Sequence, residues 1–225
     1  GSSGDPSILV LEFDSNGKLS MRHCVQEIGT GATTAQQAMV WQALGKAPDE
    51  VEFGVTEFPE LPLTSAWADQ KLQDEYSKNN PYWVPSIVPD MSSSSSVYYI
   101  GFATRQAARF LLEFTLWPAA RAIWSEGAGG GAMSSFNVQL ADLRIGPDGL
   151  GGAGMKPIAF EQLARKAHEM GLITGVAVHT YSRWEWARAE FDIPGVGLRN
   201  LPIDALAVRY GDGAPAALKN RMTVA

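Results

Sequence analysis

The alternation of apolar and polar positions is clearest at the start of the chain. Ile8-Leu9-Val10-Leu11 with Phe13, then Asp14-Ser15-Asn16-Gly17-Lys18, then Leu19 and Met21, reads as two short strands around an Asn-Gly turn, a hairpin over Ser7 to His23. Thr34-Ala35-Gln36-Gln37 is a capping-box pattern, opening a helix through Met39, Val40, Trp41 and Leu44 that Gly45 ends. From Ala47 to Leu63, Pro48, Pro59 and Pro62 interrupt Val51, Phe53 and Val55, so the stretch predicts either a short edge strand or an extended connector.

Helical spacing returns from Thr64 or Ser65 to about Lys78, through Ala68, Leu72 and Tyr76. Pro81, Pro85 and Pro89 follow, then five serines, Ser92 to Ser96, which read as a loop. Thr104 to Trp117 carries the strongest helical stripe, Ala107, Phe110, Phe114 and Trp117 with Leu111 beside it, and Pro118 either kinks this helix or starts a second piece reaching Trp124. Glycine-rich segments at 126–133 and 146–154 read as hinges, with Phe136 to Ile145 between them. Lys156-Pro157 predicts a helix whose buried face is Phe160, Leu163, Ala164 and Ala167, ended by Gly171. Thr180 to Glu190 reads as a Trp-rich helix stopped by the Asp192-Ile193-Pro194-Gly195 turn, with short helices over Pro202–Tyr210 and Pro215–Met222.

Composition narrows the function classes. The 225 residues, 45% hydrophobic, suffice for a real core, and the net charge of -6 argues against a broadly basic, nucleic-acid-coating surface. The single Cys24 excludes a disulfide scaffold and a Cys-rich zinc module. Gly1-Ser2-Ser3-Gly4 has neither the basic nor the apolar part of a leader, and it reads as a non-native or processed end. No apolar stretch has the length of a membrane span, and the expected compartment is the cytoplasm.

Candidate chemistry is thin. His23 and Cys24 are neighbours that point to opposite faces of a strand, and His168 and His179 lack partners at ligand spacing, so neither a metal nor a catalytic nucleophile is expected. The glycine-rich segments lack a Walker ending and predict no phosphate cradle. Arginine interleaved with aromatics is the richer signal. Arg105 and Arg109 share a helical face, Arg183 and Arg188 flank Trp184 and Trp186, and Arg199 with Asn200 follows in a loop. Guanidinium groups neutralise phosphates while rings stack on bases, which is how single-stranded RNA is held; the plainer reading puts Trp184 in the core and these arginines on a solvated surface.

Three fragments, in order, resemble coat proteins of flexible filamentous plant viruses of the potyvirus type. They are Met39-Val40-Trp41 with Gly45 and Pro48, Lys156-Pro157 with Phe160-Glu161-Gln162-Leu163, and Ala187-Arg188-Ala189-Glu190-Phe191-Asp192. The resemblance implies a helical subunit in which an Arg after the Phe of the second fragment and the Asp of the Phe-Asp pair shape an RNA groove. Here Glu161 stands at that Arg position, Asp192 matches the Asp, and Arg165, one helical turn on, is our substitute for the missing Arg.

The expected fold is therefore mainly α: a single helical domain (34–225) with Gly-rich hinges, preceded by an N-terminal arm (1–33) carrying a small β-hairpin. The expected function is structural and non-enzymatic, a self-assembling viral coat (nucleocapsid) subunit in virion or host cytoplasm. Its partners would be copies of itself and single-stranded RNA, held by Arg105, Arg109, Arg165, Arg183, Arg188 and Asp192, with no catalytic residue, metal, cofactor or membrane. The alternative is a small cytosolic enzyme or ligand-binding domain with an aromatic pocket near Trp83, Trp117 and Trp184, where His179 or Tyr181 supplies a polar group.

Overall fold

The computed structural model describes residues 7–55, 58–61, 75, 78, 95–126, 138–152, 154–180, 188–219 and 223–224. The alternating N-terminal segment forms the expected hairpin, β1 (Ser7–Phe13) and β2 (Leu19–His23), in antiparallel register. β1 does not end a sheet, because its other edge pairs with β7 (Ile173–Thr180). β7 in turn pairs with β10 (Ala205–Tyr210), and β10 with β11 (Thr223–Val224). The short β3 (Glu50–Glu52) adds to β2 in parallel, so the described strands give a six-stranded sheet in the order β11-β10-β7-β1-β2-β3. The Ala47–Leu63 stretch thus takes the edge-strand option.

Helices α1 (Ala32–Leu44) and α2 (Ser95–Leu111) pack on each other, and α2 crosses β1 and β7. Burial makes one main core from Leu9, Leu11, Val176, Val178, Leu206 and Val208 of the sheet. Ala103, Ala107 and Leu111 of α2 join it, as do Phe160, Leu163 and Ala167 of α4 (Phe160–Glu169). A second cluster joins Ile8, Val10, Ala177, Ala205 and Ala207 to Cys24, Val25, Phe58 and Leu61. Two small antiparallel sheets complete the described fold, β4 (Leu143–Gly146), β5 (Gly149–Gly152) and β6 (Met155–Ile158), and the hairpin β8 (Ala189–Ile193) with β9 (Gly197–Leu201).

The mainly α expectation is corrected: the chain is a mixed α/β fold. β7, unforeseen, is buried along all eight residues, so it shows no alternation. Pro202–Tyr210, read as a helix, holds β10, since Ala205, Ala207 and Val208 fit a covered strand as well as a helix face. Thr180 closes β7 and Glu190 lies in β8, which removes the helix expected between them, and residues 181–187 fall outside the described residues. Lys156 and Pro157 lie in β6, with the helix starting only at Phe160. Ser95 and Ser96 open α2 instead of lying in a loop. α1 starts at Ala32, two residues before the expected cap, and its free N–H groups are served from outside, Glu27 accepting bonds from Gly29, Gly31 and Thr33. Those bonds, Thr33's first, hold the Glu27 carboxyl below its ordinary range. The helix expected at 64–78 and the glycine segment after Glu126 fall outside the described residues, apart from Glu75 and Lys78.

The second expected hinge, 146–154, contains strand β5. At Gly149 the backbone φ is +110°, and an added Cβ would lie 2.0 Å from the Ile158 carbonyl oxygen of β6, so only glycine lets the strands meet here. Gly149→Ala should lower stability by about 2 kcal/mol or more, whereas Gly146→Ala, where nothing crowds a Cβ, should be near neutral. Urea midpoints compare the two, and equal effects would contradict this packing.

His23 on β2 and His179 on β7 are fully buried, and no ring nitrogen of either has a hydrogen-bond partner. Burial holds both neutral, pushing His23 down to about 4 and His179 to about 3. Both folded values lie below the unfolded value near 6.5, so the unfolded chain binds protons first as the pH falls. Their contribution is complete above about pH 6.5 and is lost as the pH drops towards the folded values, at about 1.4 kcal/mol per pH unit for each histidine. The urea midpoint should therefore fall between pH 7 and pH 5, and His179→Leu should flatten the slope. A midpoint constant over that interval would contradict two neutral buried imidazoles.

Candidate functional site

Pro118 has no N–H, and its ring would clash with the carbonyl four residues back, that of Phe114. The long helical run widens at this point. α2 passes into a π-helical turn, Leu112–Leu116, before α3 (Trp117–Glu126), and the Trp117 N–H donates five residues back to the Leu112 carbonyl. Thr115 Oγ donates to the Ile173 carbonyl at 2.5 Å, tying the turn to the start of β7. The sequence left open whether Pro118 kinks the helix or starts a new piece. It does neither sharply, since the extra residue of the π turn accommodates the ring.

On the outside of this turn, Phe110 and Phe114 stack with centroids 4.8 Å apart. The β8–β9 hairpin lies alongside and places the Arg199 guanidinium 5.3 Å over the Phe114 ring, within cation–π range. Two clefts meet at Glu113 and Phe114. One, about 500 Å³, is lined by Gln106, Arg109, Phe110 and Arg188 with Pro202. The other, about 1170 Å³, is lined by Trp117, Pro118, Gln139, Arg199 and Tyr210. Arg188 is oriented by Asn200, with Nε donating to its Oδ1 at 2.7 Å and Nη2 to its backbone carbonyl. Tyr210 donates its hydroxyl to the Pro194 carbonyl at 2.6 Å, fixing the hairpin turn, and burial pushes its phenol up to about 12.

A third, charged cleft opens where Gly175 of β7 faces Glu12 of β1 and Arg209 of β10. With no side chain between them, Glu12 and Arg209 pair across β7 at 3.0 Å, and a Cβ at Gly175 would sit 3.1 Å from Glu12 Cγ. Burial raises the Glu12 carboxyl against the lowering effect of Arg209. The other charges of this cleft are paired as well: Lys18 with Glu50 at 2.5 Å, and His168 between Asp212 at 3.2 Å and the Phe13 carbonyl at 3.0 Å. Charges already matched to each other serve the fold, whereas the stacked rings and guanidinium beside the π turn offer a surface to a ligand.

Of the residues expected to bind, Arg109 and Arg188 come together in one cleft. Arg105 is exposed one turn before Arg109, Arg165 is exposed on α4, and Asp192 is exposed on β8 opposite Leu198, none of them lining that cleft. Arg183, Trp83, Tyr181 and Trp184 lie outside the described residues. The aromatic pocket of the alternative reading keeps Trp117, joined by Phe110 and Phe114, while His179 is sealed in the sheet. Sequence reasoning missed the pairing of Arg199 with Phe114, and a proline inside a strong apolar stripe was the signal that this part of the helix is irregular. Among the described residues no three of His, Cys, Asp and Glu converge as a metal site, and no helix is long and apolar enough to cross a membrane.

The fold corrects the helical coat-subunit function, and with it the capsid and virion assignment. The second fragment of the resemblance begins in strand β6 and the third ends in a β-hairpin, and Glu161, Arg165 and Asp192 form no common groove in this mixed α/β chain. No family model and no curated protein matches the chain. Among solved structures it is similar to the Cu,Mo-CO dehydrogenase in its carbon monoxide reduced state, with 15% identity over 78% of this chain and 20% of that chain and a TM-score of 0.43. It is also similar to the reconstituted CO dehydrogenase from Oligotropha carboxidovorans, with 18% identity over 97% of this chain and 19% of that chain and a TM-score of 0.42. The chain thus spans about a fifth of the length of these structures.

Proposed function

We propose that this chain is a ligand-binding module whose site is the double cleft beside the π turn, and that it takes a small planar organic anion. The observation that carries the reading is the stack of Arg199 on Phe114 on Phe110, with Arg109 and Arg188 lining the adjoining wall. Aromatic faces accept a planar ring by stacking, and guanidinium groups supply the charge-assisted donors that a carboxylate requires. The net charge of the whole chain is -6, so attraction of an anion depends on this local gathering of arginines and not on the molecular field.

Isothermal titration with naphthoate tests it. The carboxylate should bind saturably, and the uncharged naphthamide more weakly. Phe114→Ala and Arg199→Ala should each weaken naphthoate roughly tenfold, about 1.4 kcal/mol, while Arg165→Ala, on another face, should leave it unchanged. Absence of saturable binding, or equal affinity for acid and amide, would contradict the reading.

A further inference from the structure

The π turn does more than shape the cleft, because it changes which backbone carbonyls have donors. In a regular helix the Glu113 carbonyl accepts from the N–H of Trp117, four residues on. Here that N–H is given to Leu112. The next candidate in the widened register, five residues on, is Pro118, which has no N–H to give. Among the described residues no donor from outside the helix reaches Glu113. Helical carbonyls point towards the C-terminal end, so this oxygen is directed at the Trp117–Pro118 step, and Glu113, Trp117 and Pro118 all line the larger cleft.

Resting on the ligand-binding reading above, we infer that the Glu113 backbone carbonyl is a specificity element of the cleft, and that the preferred ligands are aromatic acids bearing an O–H or N–H donor on the ring. The guanidinium groups hold the acid, the phenylalanines hold the ring face, and the freed carbonyl accepts the donor at the ring edge. Pro118 is a positioning residue in this scheme: it keeps the carbonyl unpaired without touching the ligand through a polar group. An unsatisfied acceptor discriminates well, because a ligand without the donor displaces water from it and returns nothing.

The test compares naphthoate with its ring-hydroxylated isomers on the wild-type chain and on Pro118→Ala. Restoring an N–H at this position pairs the Glu113 carbonyl if the π register persists. If the helix returns to the α register, Trp117 supplies the bond. In either case the carbonyl is no longer free. The best hydroxylated isomer should bind wild type about tenfold more tightly than naphthoate. That advantage should vanish in Pro118→Ala, while naphthoate itself still binds. Pro118→Ser restores the same N–H and gives an independent second reading should the alanine variant fold poorly. An advantage that survives both substitutions, or no advantage in wild type while naphthoate binds, overturns the inference and leaves the ligand-binding reading intact. Failure of naphthoate to bind wild type overturns both.

Discussion

Neither β1 nor β7 has a face open to water, and much of the described architecture answers that demand. All eight residues of β7 and six of the seven in β1 are buried, so each strand pairs on both edges and is covered on both faces. A buried backbone donor or acceptor left without a partner costs as much as a lost hydrogen bond, which is why β1 joins β2 to β7 instead of ending the sheet. The same burial governs the polar side chains. His23 and His179 are held neutral, and the Glu12 and Arg209 charges are tolerated because Gly175 leaves them room to meet.

A second constraint, the missing N–H of Pro118, sets the character of the site. The helical run that covers β1 and β7 cannot stay regular through a proline, and it cannot break sharply without uncovering the sheet beneath it. An inserted π turn resolves both, with Thr115 anchoring it to Ile173. The cost is local: a carbonyl without a donor, and Phe114 half-buried on the outer side, where the β8–β9 hairpin brings Arg199 over it. Sheet burial and cleft chemistry are therefore linked through one helix.

The parts of this fold that could be read from the sequence are those where periodicity carries information. The Ser7–His23 hairpin alternates because β2 has one half-buried face, and the helix through Ala107, Phe110 and Leu111 shows a stripe because its other side meets solvent. β7 carries no such signal, since a strand covered on both sides is a plain apolar run, and Ala205-Leu206-Ala207-Val208 of β10 suits helix and strand alike. β5 was hidden for another reason: Gly149-Leu150-Gly151-Gly152 has almost no side chains with which to announce a strand. At the site, arginine and aromatic residues pointed to Arg109 and Arg188 because that chemistry is written in residue type. Phe114 looked like core and Arg199 like loop, because their encounter depends on a hairpin folding back over the helix.

The most direct test of the account is where a planar anion makes contact. Chemical-shift mapping of the labelled chain with naphthoate reads every cleft at once. The account predicts the largest changes at Phe110, Phe114 and Arg199, with smaller ones at Arg109 and Arg188. Changes confined to the charged cleft of Glu12, His168 and Arg209, or none at all, would contradict it.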